Sequence, residues 1–98
     1  MKLKTIIEQQ DISLSAMQKY ILLVIYTSQT PVLAFDRIRD TEPDTIASDI
    51  LERYGYINIH NNEASLTSKG DNALISYGLV ENGDVTEMGQ EIMDSYGE

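Results

Sequence analysis

The sequence predicts a mainly helical domain that carries one small β-hairpin, followed by a second, shorter hairpin and a last helix. Two observations predict it. Tyr54-Gly55-Tyr56-Ile57, a polar turn and Leu66-Thr67-Ser68-Lys69-Gly70 are echoed by Tyr77-Gly78-Leu79-Val80, a shorter turn and Val85-Thr86-Glu87-Met88-Gly89. In each copy a helix stops at Gly, a hairpin follows, and a Thr opens the next helix. The remaining segments show apolar residues at helical spacing behind recognisable caps. At 98 residues the chain makes one domain, 1–98. Within it, 1–12 reads as an N-terminal helix, 13–77 as the core and 78–98 as an acidic hairpin-helix extension.

The elements follow in order. Leu3, Ile6 and Ile7 fall at i, i+3 and i+4, a short amphipathic helix, with an alternating strand as the other reading. Ser15-Ala16-Met17-Gln18 fits a capping box, in which the Ser oxygen accepts from a backbone N–H and Gln18 reaches back. The helix it opens, about 15–28, is apolar nearly all round and therefore central. Thr30-Pro31 starts a short helix, about 31–39, with Thr as cap and Pro at a position that needs no N–H. Asp40-Thr41-Glu42 is a turn, and Pro43 opens a helix of about 43–53 that Gly55 ends. Its buried stripe is expected to be Ile46, Ala47, Ile50 and Leu51, which leaves Thr45, Ser48, Asp49 and Glu52 outward. Tyr56-Ile57-Asn58-Ile59 and Ala64-Ser65-Leu66-Thr67 read as strands about the turn His60-Asn61-Asn62-Glu63. A helix of about 68–77 follows. Asn82-Gly83 marks a tight hairpin, and a last helix, about 87–96, carries Met88, Ile92, Met93 and Tyr96 on one side.

Charge is distributed unevenly. The net charge is −9, and residues 1–69 hold nine acids and seven bases. Residues 70–98 hold seven acids and no base. That segment repels phosphate and attracts basic protein surfaces, or else is a solvated, solubilising face. There is no cysteine, which removes disulfides and thiolate metal sites. The start Met1-Lys2-Leu3-Lys4 lacks the apolar stretch of a secretory signal, and the apolar run 21–26 is too short to span a bilayer. A soluble, cytoplasmic protein without membrane contact is expected.

The order helix, short helix, turn, helix, hairpin, helix resembles a winged helix-turn-helix domain of the MarR-like kind. The residues carrying the likeness are Leu51-Glu52-Arg53-Tyr54-Gly55-Tyr56-Ile57 and Leu66-Thr67-Ser68-Lys69-Gly70. In that family these form the end of the recognition helix, the wing, and the start of the helix behind it. The likeness covers about 13–77, and the compact chain is also similar to small proteins of tailed phages. The family consists mostly of transcriptional regulators that dimerise through terminal helices and read duplex DNA. The resemblance thus implies a homodimer and a helix at 43–53 that enters the major groove.

The outward residues of that helix depart from the pattern. Asp49 and Glu52 are carboxylates and none of the four outward residues is basic, whereas a groove-reading helix normally brings Arg or Lys to the flanking phosphates. Phosphate contacts fall to Arg37, Arg39, Arg53 and Lys69, with Lys19 as a further candidate and Thr45 and Ser48 left for base edges. Such a face neutralises few phosphates, and DNA affinity depends on that number.

Chemistry finds no foothold. His60 is the only histidine and lies in a hairpin turn. A zinc site needs several His or Cys ligands, and a lone turn histidine is a poor general base. The glycines form neither a dinucleotide fingerprint nor a phosphate loop. No catalytic, cofactor-binding or metal-ligating set emerges, so neither enzymatic activity nor a cofactor is expected. The six tyrosines read as core-edge residues, with Tyr77 and Tyr96 as alternatives for an interface beside Met88, Ile92 and Met93. The sequence therefore predicts a regulatory or adaptor module in transcription or another nucleic-acid process. It would contact a protein with a basic surface through Asp49, Glu52, Glu87, Glu91 and Asp94. The alternative is a dimeric, sequence-specific duplex-DNA binder.

Overall fold

A computed structural model describes residues 12–96. The helix expected over 1–12 lies outside the described residues but for Ile12. Five helices and two hairpins follow in order: α1 (Ala16–Thr27), α2 (Pro31–Ile38), α3 (Glu42–Arg53), β1 (Ile57–His60), β2 (Glu63–Leu66), α4 (Ser68–Ser76), β3 (Val80–Glu81), β4 (Asp84–Val85) and α5 (Glu87–Tyr96).

Local chemistry accounts for the starts. Ser15 and Gln18 form the full capping box of α1, Ser15 Oγ accepting from Gln18 N and Gln18 Oε1 accepting from Ser15 N. Thr30, Thr41 and Thr67 each accept a backbone N–H three residues on, capping α2, α3 and α4. The consequence for packing appears in α1. Ile21, Leu22, Leu23 and Val24 are four successive residues with no exposure, so this helix is enclosed on every side. All four other helices and β2 pack on it.

The internal echo is reproduced bond for bond. At the end of α3, Tyr56 N donates to Leu51 O at 2.9 Å, and at the end of α4, Leu79 N donates to Leu74 O at 2.9 Å. These bonds span a Gly at positive φ, 84° at Gly55 and 75° at Gly78, which closes the exposed carbonyls of each helix end. Each hairpin then returns to the same carbonyl: Thr67 N donates to Tyr56 O at 3.1 Å, and Thr86 N to Leu79 O at 2.9 Å. The two Thr hydroxyls donate to Gly55 O and Gly78 O, while accepting from Gly70 N and Gly89 N. One side chain thus caps a helix and ties it to the end of the preceding one. Thr86→Val keeps the shape and removes both bonds, and is expected to lower stability by about 1–2 kcal/mol in urea unfolding.

The hairpins are antiparallel and separate, β1 with β2 and β3 with β4. In the first, Ile57 faces Leu66 and His60 faces Glu63. The turn is therefore Asn61-Asn62 alone, both at positive φ, rather than the four residues expected. Two successive asparagines accept the left-handed conformation that a two-residue hairpin requires, which lets the strands run one pair further. The second turn, Asn82-Gly83, repeats this conformation.

One expected orientation is corrected. Ile46 is 53% exposed and Ser48 is fully buried, the reverse of the stripe expected for α3. The buried residues are Ala47, Ser48 and Leu51. Two of these side chains are small, and α3 packs on α1. The Ser48 hydroxyl donates to Thr45 O at 2.9 Å, so its burial leaves no polar group stranded.

Candidate interaction surface

Two helices present acidic faces. On α3, Glu42, Ile46, Asp49 and Arg53 follow one another at i, i+4, i+7 and i+11, a single outward stripe, and all four are exposed. Glu52 is exposed on its flank. Asp49 Oδ1 meets Arg39 Nη2 at 3.0 Å. With relative exposures of 29% and 54%, the pair is wet and contributes no more than about 1 kcal/mol. It nevertheless directs the Arg39 guanidinium to a carboxylate of its own chain.

On α5, Glu87, Glu91 and Asp94 share the outward side at i, i+4 and i+7, and all are exposed. Glu87, in the first turn, lies where negative charge suits the helix dipole. Glu87 and Glu91, four apart, oppose one another, a cost of a few tenths of a kcal/mol. Asp94 accepts from Gln90 Nε2 at 3.0 Å, a neutral donor that leaves the charge in place.

Of the four cations assigned to a duplex, three are engaged within the chain. Arg37 Nη1 donates to Ser28 Oγ at 3.2 Å. Arg39 is held by Asp49, with its guanidinium 5.4 Å from the Phe35 ring centroid. Lys69 Nζ donates to Tyr54 O at 2.9 Å and stands 4.6 Å from the Tyr56 ring centroid. Arg53 is exposed at the end of α3. Thr45 is half-buried, its hydroxyl donating to Thr41 O, and Ser48 reaches no surface. His60 stands exposed on the last pair of the first hairpin.

The apolar side of α5 is directed into the molecule. Ile92 and Met93 pack on the core, and the Tyr96 ring lies 5.6 Å from that of Tyr20 on α1. Tyr77 is half-buried, its hydroxyl accepting from Leu14 N at 3.1 Å. Of the residues considered for an interface here, Met88 and Tyr96 remain exposed, at 56% and 42%. The exposed Ile46, which periodicity placed inside, is the apolar residue that sequence reasoning missed. With Pro43, Ile50 and Met17 it lines an apolar groove between α3 and the start of α1. Periodicity alone held no signal for this, because the helix buries small residues in place of large ones.

Among the described residues, no group of three or more His, Asp or Glu is placed to hold a metal. No described helix is long and apolar enough to cross a membrane. Comparison of the chain with protein-family models, with curated proteins and with solved structures finds no match.

Proposed function

We propose that this chain is a small winged-helix adaptor that acts through protein contacts, in transcription or another nucleic-acid process, and that its partner carries a basic surface. In this reading α3 is the helix that related domains lay in the major groove, and the first hairpin is the wing. The observation that carries the proposal is the outward stripe of α3. It offers Glu42 and Asp49 around an exposed Ile46, with Arg53 at its far end, and the nearby Arg39 is bound to Asp49 rather than displayed. Carboxylates at that place repel phosphates and suit lysines and arginines. The acidic stripe of α5 supports the same reading, since its uncompensated repulsion is relieved by a cationic partner.

Two titrations test the proposal. Duplex DNA at about 50 mM salt is expected to give no binding at micromolar protein. A fluorescent arginine- and lysine-containing peptide is expected to bind with strong salt dependence. Joint reversal of Asp49, Glu52, Glu87, Glu91 and Asp94 to Lys abolishes that binding. Salt-sensitive DNA binding that disappears when Arg37, Arg39, Arg53 and Lys69 become Ala would instead establish a duplex-binding protein.

A further inference from the structure

A cleft of about 480 Å³ is lined by Tyr20, Asp36, Arg37, Asp40, Thr41, Asp44 and Tyr96. It forms where the end of α5 meets the turn between α2 and α3. Three carboxylates border it. The one cation in the lining, Arg37, has its Nη1 on Ser28 Oγ. Among the described residues, the Arg39–Asp49 contact is the ion pair formed, and it involves none of these three carboxylates.

A second feature of the cleft is independent of its charge. Tyr20 is only 8% exposed, yet its hydroxyl makes no hydrogen bond to any described residue, although its side chain borders the opening. The hydroxyl oxygen itself is not sealed from solvent: the ring is the buried part, and the oxygen opens on the cleft. Its ring stands 5.6 Å from that of Tyr96, tilted by 36°. Tyr96, itself 42% exposed, adds an aromatic surface at the mouth.

We propose that this cleft is the receptor for an arginine side chain of the partner. The inference rests on the protein-contact role proposed above and gives it a specific pocket. A guanidinium is flat, permanently charged and weakly hydrated. It stacks on aromatic rings while its fork of N–H donors meets carboxylates. Asp36, Asp40 and Asp44 supply the acceptors, Tyr96 the stacking surface, and the Tyr20 hydroxyl a further acceptor. A lysine ammonium, compact and strongly hydrated, uses the rings less well. The long-range attraction comes from the chain's net charge of −9, which raises the local concentration of a basic partner.

The test is an amide-resolved NMR titration of the whole chain with N-acetyl-arginine methylamide. The lysine and citrulline counterparts serve as comparisons. Saturable shifts are expected at Tyr20, Asp36, Asp40, Asp44 and Tyr96. Affinity should be about threefold or more lower for lysine, and citrulline should produce no shifts. Tyr96→Leu and Asp40→Asn are each expected to weaken binding about fivefold, and Tyr20→Phe about threefold, with the rest of the spectrum unchanged. Shifts spread over Asp49, Glu52, Glu87 and Glu91 that ignore these three substitutions would overturn the pocket and leave the broader protein-contact reading standing. Equal affinity for lysine would overturn the assignment to a guanidinium. Absence of any shift overturns the pocket, and the peptide titration then decides the broader reading separately.

Discussion

Gly70→Ala is expected to destabilise the domain by about 3 kcal/mol, at the upper end for an added methyl group in a packed interior. Gly70 lies in the first turn of α4 and is buried. A Cβ there would run into the Tyr56 carbonyl oxygen and press on Leu66 Cδ2 at 3.2 Å. The carbonyl has no freedom to retreat, because it accepts from Thr67 N and so holds the hairpin to the helix end. The substitution must therefore push α4 outward or break that bond. For a domain of this size, a loss of 3 kcal/mol lowers the melting temperature by roughly 12–24 °C, a change that thermal unfolding followed by circular dichroism detects directly. Gly89→Ala is the internal comparison. The corresponding Cβ would meet Leu79 O at 2.6 Å and Val85 Cγ1 at 2.9 Å. The hairpin behind it has only two residues in each strand, and α5 is the last described helix. The closest approach is less severe than at Gly70, so its penalty is expected to be the smaller of the two.

Leu51→Ala is the second large effect, with an expected cost of about 2–5 kcal/mol. Leu51 has no exposure and stands at the end of α3, where its carbonyl accepts from Tyr56 N. Truncation removes the side chain that packs where helix, hairpin and α1 converge, while the backbone bond stays. Urea unfolding should show a lower midpoint with an unchanged slope, the mark of lost stability without a changed unfolded state. Leu74→Ala, at the equivalent place in the second unit and 1% exposed, should behave alike. If either change is tolerated to within a few tenths of a kcal/mol, the two helix ends are not the anchoring points described above.

Much of this architecture was legible in the residues. The caps at Ser15, Thr30 and Thr67 are short-range devices, and each sits where its spacing says it should. The repeated Gly, Thr and Gly positions announced both hairpin units, because each residue type there answers a local backbone demand. The orientation of α3 was not legible. Ile46 and Ser48 exchange their expected sides, and a serine bonded to its own helix can be buried at little cost. That is a tertiary effect with no trace in a hydrophobic period. The acidic stripe Glu87, Glu91 and Asp94 could be read from spacing alone. The cleft between Tyr20 and Tyr96 could not, since it joins residues from distant parts of the chain.

Helix α4 is the exit of the first hairpin unit and the approach to the second. Its beginning is fastened by Thr67 and its end by Leu79. Neither half of the chain can loosen without disturbing the segment they have in common. A cut between residues 67 and 79 would therefore not release two autonomous pieces: it would remove from both the beam on which each is hung.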